Sequence, residues 1–226
     1  MPAAGVGSRM GAAMPKQYLK LHGRTVIEHT LARLCSHPLI EGVVLAISAD
    51  DQYWPQQQLP DPGRIYVTEG GAERCYSVLN GLQRLSEFAA ADDWVLVHDA
   101  ARPCLHHDDI SHMIESLHDH PVGGLLGVPV ADTMKRTNDA GNVLETVGRD
   151  NLWRALTPQM FRLGQLQQAL QTALDDHFLV TDEASAIEHV GLKPLMVSGR
   201  ADNIKITRPE DLSLAELFLA QQEKAE

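Results

Sequence analysis

The stretch Trp94-Val95-Leu96-Val97-His98-Asp99-Ala100-Ala101-Arg102-Pro103 joins a short aliphatic run to a polar turn. An aliphatic run of this length is typical of a strand that is buried on both faces of a parallel sheet. Asp99 follows at the carboxyl end of that strand, which is the edge where open α/β sheets bind ligands. Its carboxylate could bind a hydrated Mg²⁺ or a substrate hydroxyl, or it could form a salt bridge with Arg102 that fixes the turn. The residue pattern leaves these alternatives open.

Similar aliphatic runs alternate with amphipathic stretches along the chain. The predicted strands comprise residues 43–47, 64–68, 94–98, 125–130 and 192–197. A capping box of Thr25 and Glu28 begins one predicted helix, and a second helix begins near Glu73. Another capping box, of Thr207 and Glu210, begins a C-terminal helix. The expected apolar side of that helix comprises Leu212, Leu214 and Leu217. This alternation predicts a Rossmann-like α/β fold, with a mostly parallel sheet and helices on both faces.

Residues 131–152 interrupt the alternation. Two polar, strand-like runs at 133–137 and 143–147 flank the turn Asn138-Asp139-Ala140-Gly141-Asn142, which is the pattern of a β-hairpin. No helical segment lies beside this hairpin to bury one of its faces. It is therefore either an arm that reaches a partner subunit or a solvated flap.

Length and composition narrow the class of protein. The 226 residues suit a single α/β domain over residues 1–226, and the formal net charge of −11 argues against a general nucleic-acid binder. The apolar runs are too short to span a bilayer, and no signal peptide opens the chain. Three cysteines without a CxxC pair indicate reduced thiols, so we expect a soluble cytoplasmic protein.

The N-terminal residues carry closely spaced glycines followed by two basic side chains. Gly5 and Gly7 would let backbone N–H groups approach phosphate oxygens, and Arg9 and Lys16 would add positive charge. Met10 stands where a dinucleotide-binding fingerprint needs Gly or Ala, and the sequence lacks the Gly-Lys-Ser/Thr of a P-loop. These residues therefore indicate a nucleoside triphosphate site of another type.

Two further segments are candidates for the same site. Gly70 and Gly71 precede a helix start, with Ser77 one turn later, and could offer amides and a hydroxyl to a base or a phosphate. A plain helix entry has the same pattern. Lys205 lies between Ile204 and Ile206 and, taken alone, is typical of a strand residue whose ammonium reaches solvent.

Taken in order, these segments resemble one enzyme family over residues 2 to about 217. The matching stretches are PAAGVGSRM at 2–10, PKQY at 15–18, GGAER at 70–74 with Ser77, VLVHDAARP at 95–103, DTMKR at 132–136, LWRALTPQ at 152–159, TDEASA at 181–186 and GRADNIKITRPEDL at 199–212. They resemble the 2-C-methyl-D-erythritol 4-phosphate cytidylyltransferases of the non-mevalonate isoprenoid pathway. The resemblance implies transfer of a cytidylyl group from CTP to 2-C-methyl-D-erythritol 4-phosphate, with release of pyrophosphate and a requirement for Mg²⁺.

The resemblance also implies roles for individual residues. Arg9 and Lys16 would stabilise the transition state, while Arg149 and Lys205 would position the phosphorylated substrate; these four form the catalytic set. The implied nucleotide-binding residues are Ala3, Ala4, Gly5, Gly7, Gly71, Ser77, Asp99 and Ala100. The implied substrate-binding residues are Asp99, Arg102, Thr133, Arg149, Thr157 and Lys205. Mg²⁺ would be held mainly by the triphosphate, near Asp99. In the family the β-arm crosses to a second subunit, which implies a homodimer with shared sites.

One departure and two alternatives accompany this assignment. The chain begins at Met1-Pro2 without the short hydrophobic strand that the family carries there, so we expect the natural start to lie upstream. A sister enzyme that acts on another polyol phosphate, such as ribitol 5-phosphate, is one alternative. A non-catalytic nucleotide-binding protein is the other, and it is disfavoured because Arg9, Lys16 and Lys205 are all present.

Overall fold

The computed structural model describes residues 1–5 and 14–224, so Gly7 and Arg9 lie outside the described residues. The strands are β1 (Lys20–Leu21), β2 (Arg24–Thr25), β3 (Val43–Ile47), β4 (Ile65–Glu69), β5 (Trp94–Val97), β6 (Gly123–Pro129), β7 (Met134–Thr137), β8 (Val143–Val147), β9 (Trp153–Arg162) and β10 (Leu195–Ser198). The α-helices are α1 (Val26–Ser36), α2 (Arg74–Leu85), α3 (His107–Leu117), α4 (Leu163–Asp175), α5 (Glu183–His189) and α6 (Glu210–Glu223). The predicted α/β class is confirmed.

A four-stranded sheet forms the centre of the fold, in the order β10-β6-β9-β5. The predicted parallel pairing is present between β10 and β6, and between β3 and β4, which form a separate pair. Strand β9 was not predicted, and it runs antiparallel to both β5 and β6. The four-stranded sheet is therefore mixed, and not mostly parallel as predicted. The predicted strand at 192–197 instead covers Leu195–Ser198.

Two apolar clusters identify the faces of the sheet. Leu126 and Met160 pack with residues of α1 and α3, while Leu125 and Phe161 pack with residues of α2, α4 and α5. Adjacent residues of one strand point to opposite faces, so the two clusters lie on opposite sides of the sheet. The prediction of helices on both faces is confirmed.

The capping box at the start of α1 is also confirmed. Thr25 Oγ1 accepts a hydrogen bond from the Glu28 backbone N–H, and Glu28 Oε2 accepts one from the Thr25 N–H at 2.8 Å. These bonds satisfy two amides that a helix start would otherwise leave free. The helix then buries Ile27 and Leu31 completely.

The predicted capping box before α6 is wrong. Asp211, one position beyond the predicted Glu210, accepts hydrogen bonds from the N–H groups of Thr207 and Arg208 at 2.8 Å each. The predicted apolar side is right only for Leu212, since Leu214 and Leu217 are exposed. Leu212 packs together with Ala215 and Leu219 against Leu21 and Val26.

The N-terminal residues lie beside β3. The Ala3 N–H donates to the Ala46 carbonyl at 2.8 Å, and the Ala46 N–H donates to the Met1 carbonyl at 3.0 Å. Ala3, Ala4 and Gly5 therefore emerge next to the carboxyl end of β3. A cavity of about 570 Å³ is lined by residues of β3, β5 and α2.

The hairpin predicted at 131–152 is confirmed as β7 and β8. The two strands pair with each other in antiparallel register, from Met134 opposite Val147 to Thr137 opposite Val143. Along β7 and β8 the side chains are exposed, apart from the half-buried Val147. Among the described residues, no helix is long and apolar enough to cross a bilayer.

Candidate active site

A pocket of about 190 Å³ opens near the carboxyl ends of β3 and β5. It brings together residues that lie far apart in the sequence. The predicted site residues that line it are Ala3, Ala4, Gly5, Lys16, Gly71, Ser77, Asp99, Ala100 and Lys205. This edge of the sheet is where the sequence places Asp99, and it is the edge where parallel sheets bind ligands.

Close backbone packing shapes one wall of the pocket. The Gly70 N–H donates to the Ile47 carbonyl at 2.6 Å, which joins the glycine loop to the end of β3. A Cβ on Gly70 would lie 2.4 Å from the Cβ of Ala4, and one on Gly71 would lie 2.2 Å from the Cβ of Tyr76. Both distances are far below van der Waals contact. Glycine is therefore required at 70 so that the loop can meet the N-terminal segment, and at 71 so that the loop can pack against the first turn of α2.

Ser77 stabilises that loop from the first turns of α2. Its Oγ accepts a hydrogen bond from the Gly71 N–H at 3.0 Å and donates to the Glu73 carbonyl at 3.2 Å. The side chain is buried. The hydroxyl predicted to hold the nucleotide is thus engaged with the backbone of the loop, although Ser77 also lines the pocket.

Asp99 lies at the centre of a group of cations. Its Oδ1 accepts a hydrogen bond from Arg74 Nε at 3.1 Å, and its Oδ2 lies 2.8 Å from Lys205 Nζ. Arg102 Nε is farther away, at 3.6 Å from Oδ2. Burial alone would raise the pKa of Asp99, but the charges of Arg74, Lys205 and Arg102 outweigh burial and hold this pKa well below its usual range. Asp99 is therefore a carboxylate at neutral pH.

Arg74 connects Asp99 to a second carboxylate, that of Glu183. The two terminal nitrogens of Arg74 donate to the two oxygens of Glu183, at 2.6 and 3.0 Å. Glu183 is fully buried at the start of α5. Burial lowers the pKa of Arg74, but the two carboxylates outweigh it and raise this pKa above its ordinary value. The sequence prediction did not include either residue, although both lie in stretches that carry the family resemblance.

Four predicted substrate-binding residues lie outside the pocket lining. Thr157 is only 4% exposed, and its Oγ1 accepts a hydrogen bond from the Asp99 backbone N–H at 3.1 Å, so it lies behind the pocket. Thr133 and Arg149 are exposed near the base of the hairpin, where Arg149 donates to the Ala131 carbonyl. Within one chain they do not join Lys16 and Lys205. Arg102, which is buried, contacts Asp99 from outside the lining.

The charges of the site differ from those of the whole chain. Arg74, Arg102 and Lys205 surround the carboxylates of Asp99 and Glu183, and the pocket lining adds Lys16 and Glu73. These four cations and three carboxylates leave one positive charge in excess. The chain as a whole has a formal net charge of −11. A local excess of fixed cations, beside backbone amides, is suited to a phosphorylated ligand.

Comparisons with known proteins agree with this geometry. The family model for IspD, 2-C-methyl-D-erythritol 4-phosphate cytidylyltransferase, matches residues 1–221. The chain is 57% identical to the enzyme of that name from Hahella chejuensis over 219 residues, which are 97% of this chain and 91% of the relative. It is 56% identical to the one from Pseudomonas aeruginosa over 213 residues, or 94% and 91% of the two chains.

Solved structures show the same similarity. The Francisella tularensis enzyme of this name superimposes with a TM-score of 0.84 and 38% identity, covering 96% of each chain. The Thermus thermophilus enzyme gives a TM-score of 0.75 and 31% identity, covering 94% of this chain and 96% of the other. The chain belongs to the 2-C-methyl-D-erythritol 4-phosphate cytidylyltransferase family.

Proposed function

We propose that this chain transfers the cytidylyl group of CTP to 2-C-methyl-D-erythritol 4-phosphate, giving 4-CDP-2-C-methyl-D-erythritol and pyrophosphate. The observation that carries the proposal is the pocket itself. The Ala3–Gly5 backbone, the Gly71 loop, Lys16, Asp99 and Lys205 converge there within an otherwise acidic protein. Family membership adds the identities of the two substrates.

The reaction joins two anions. An oxygen of the substrate phosphate forms a bond to the α-phosphorus of CTP, and the bond from that phosphorus to the bridging oxygen of the β-phosphate breaks. Pyrophosphate leaves with the electron pair. Little covalent chemistry falls to the protein, so fixed positive charge and positioning are the main catalytic devices. We assign the charge stabilisation to Lys16, together with Arg9 outside the described residues.

Lys205 is suited to receive the substrate phosphate. Its ammonium is partly exposed to the pocket and is paired with Asp99. An incoming phosphate can accept a hydrogen bond from the same ammonium. Asp99 keeps Lys205 at the pocket edge before the substrate arrives, and Asp99 can then accept a hydrogen bond from a substrate hydroxyl.

Mg²⁺ fits the pocket as an ion carried by the triphosphate. The described residues contain no group of three His, Cys, Asp or Glu side chains placed to hold a metal. Both oxygens of Asp99 are already engaged by Arg74 and Lys205. Mg²⁺ commonly keeps several waters and binds through substrate phosphates, which needs no cage of protein ligands. When bound, the ion would neutralise part of the triphosphate charge near Asp99.

We also propose that the chain forms a homodimer through the β7–β8 hairpin. In the single chain, the hairpin exposes Met134, Val143 and Leu144, with Leu144 62% exposed. Apolar side chains on a projecting hairpin are suited to burial against a second copy. Thr133 and Arg149 would then complete the pocket of the partner. The cytoplasmic location predicted from composition remains a prediction.

The direct test is pyrophosphate release from CTP and Mg²⁺, with and without 2-C-methyl-D-erythritol 4-phosphate. We expect release only when both substrates are present. Ribitol 5-phosphate in place of the methylerythritol substrate tests the sister activity, and equal or faster release with it would reject the proposed specificity. CTP binding without any turnover would instead indicate a non-catalytic nucleotide-binding protein.

A further inference from the structure

Four buried residues behind the pocket form a closed ring of hydrogen bonds. Thr157 Oγ1 lies 3.0 Å from His98 Nδ1, and His98 Nε2 lies 3.1 Å from the Arg102 carbonyl oxygen. Arg102 Nη1 donates to the Asn203 carbonyl at 2.7 Å, and Asn203 Nδ2 donates to the Thr157 carbonyl at 2.8 Å. Each residue thus donates to the next. All four are at least nine-tenths buried.

The direction of the ring follows from the chemistry of its members. The Arg102 carbonyl can only accept, so His98 Nε2 carries the proton of the imidazole. In a neutral imidazole, Nδ1 is then an acceptor, and the Thr157 hydroxyl must donate to it. Burial lowers the pKa of His98 to about 4, so the His98 imidazole is neutral at neutral pH. The Thr157 oxygen still accepts the Asp99 N–H at 3.1 Å.

The ring joins three segments that carry the charged groups of the site. His98 and Arg102 flank Asp99 in the turn after β5, Thr157 belongs to β9, and Asn203 lies in the loop after β10. Lys205 follows Asn203 by two positions. The contact of 2.8 Å between Lys205 and Asp99 therefore spans two segments whose separation the ring sets. A change of a few tenths of an ångström in the ring would move Lys205 relative to the pocket.

We propose that His98, Thr157 and Asn203 are positioning residues, which act on the reaction by holding Lys205 against Asp99. The inference rests on the proposed function, in which Lys205 receives the substrate phosphate. It gives Thr157 a different role from the direct substrate contact implied by the sequence. His98 and Asn203 acquire a role that none of the sequence patterns suggested.

The test compares two substitutions of Thr157. Thr157→Val keeps the volume but removes the hydroxyl, so the ring opens and the Asp99 N–H loses its acceptor; Thr157→Ser keeps both bonds. We expect Thr157→Val to lower kcat by about 10- to 100-fold, as misplacement of a catalytic group does. The KM for CTP should stay within about threefold, because the CTP-binding loop is untouched. Thr157→Ser should retain most of the wild-type activity.

A double-mutant cycle separates positioning from a general structural effect. In a Lys205→Met background, Thr157→Val should change kcat by less than about threefold, because the group that the ring positions has been removed. An equal loss in both backgrounds would overturn the inference. Asn203→Ala is the second variant, since water can enter the space it leaves, and it should lower kcat in the same direction.

A crystal structure of Thr157→Val gives a readout that does not depend on the reaction. We expect the distance from Lys205 Nζ to Asp99 Oδ2 to increase beyond hydrogen-bonding range. A distance unchanged from 2.8 Å would reject the positioning role even if the protein proved inactive towards both substrates. Failure of the wild-type chain to release pyrophosphate, with the distance altered in the variant, would reject the proposed function alone.

Discussion

The Lys205 ammonium lies 2.8 Å from the Asp99 carboxylate, although Asp99 follows β5 and Lys205 lies in the loop after β10. Arg74 approaches the other oxygen of the same carboxylate. Asp99 thus holds two cations at once, and both line the pocket, with Lys205 more exposed than Arg74. The Asp99 carboxylate therefore holds the Lys205 ammonium at the edge of the pocket and balances its charge.

Substitution of a pocket lysine tests the charge argument. Lys205→Met and Lys16→Ala should each lower kcat by about 10²–10³, the usual effect of removing one fixed group that stabilises transition-state charge. We expect Arg9→Ala to lower kcat to a similar extent. The matched control is Lys193→Met, which removes an exposed lysine outside the pocket lining. Steady-state pyrophosphate release measures the effect, and near-normal turnover in any of these three variants would reject the role assigned to that residue.

The Arg74–Glu183 pair predicts a large loss of stability. Glu183→Gln removes the charge of a fully buried carboxylate and leaves Arg74 partly unpaired, so we expect a loss of about 3–5 kcal/mol in the free energy of unfolding. Glu188→Gln, on the exposed side of the same helix, should change it by less than about 0.5 kcal/mol. Urea unfolding measures both. Equal effects would show that the buried pair contributes no special stability.

These charge pairs mark the limit of what the sequence could predict. The strand ending at Val97 placed Asp99 at the ligand edge, because strand position follows from a local aliphatic run and a general rule for α/β sheets. The partner of Arg74 could not be found in this way. Glu183 is 109 positions away, and its contact depends on how α5 packs against α2. Tertiary contacts of this kind leave no local signal.

Strand β9 was missed for a related reason. Pro158 lies within its apolar run, and proline normally argues against a central strand because it cannot donate to the ladder. Here the register against β6 shifts between Leu125, opposite Gln159, and Gly127, opposite Ala155. Pro158 lies in the bulged part of β9, where no ladder hydrogen bond is required. The strand depends on this irregularity, which periodicity does not reveal.

Acid should destabilise the fold through His98. Burial lowers the folded-state pKa of His98 to about 4, whereas the unfolded chain has the ordinary value near 6.5. The unfolded state therefore binds the proton first as the pH falls. The contribution of His98 to the free energy of unfolding is fully present above about pH 6.5, and it is lost as the pH falls from about 6.5 to about 4. Between pH 7 and 5 we expect a loss of about 2 kcal/mol from this group.

The comparison that isolates this contribution uses His98→Gln. The variant will be less stable throughout, but its free energy of unfolding should fall less steeply between pH 7 and 5 than that of the wild type. The buried side chains of His29 and His37 titrate in the same direction and remain in both proteins. His112→Gln, which alters an exposed histidine of α3, is the matched control. Parallel slopes for wild type and His98→Gln would contradict the prediction.

Two glycines, Gly70 in the glycine loop and Gly81 in α2, should respond in opposite ways to alanine. Gly81 lies inside α2, and a Cβ there would meet only Val44 Cγ1, at an ordinary contact distance of 3.9 Å. Gly81→Ala should therefore stabilise the fold by about 0.5–1 kcal/mol through helix propensity. Gly70→Ala would place a methyl group 2.4 Å from Ala4 and should destabilise it. Thermal unfolding measures both effects. A destabilised Gly81→Ala would contradict the prediction, because it would show that there is no room for a methyl group at this position.

Mixing experiments test whether two chains share each site. Arg149 is exposed on the hairpin of its own chain, whereas Lys16 lines the pocket. If the arm crosses, a hybrid of Lys16→Ala and Arg149→Ala chains contains one site with both residues intact. Random exchange should then restore roughly a quarter of the wild-type activity. The control mixes Lys16→Ala with Lys205→Ala: both residues line the same pocket, so each hybrid site keeps a defect and activity should stay low. Absence of rescue in the first mixture, with subunit exchange demonstrated by mass spectrometry, would leave Arg149 without a part in the neighbouring site.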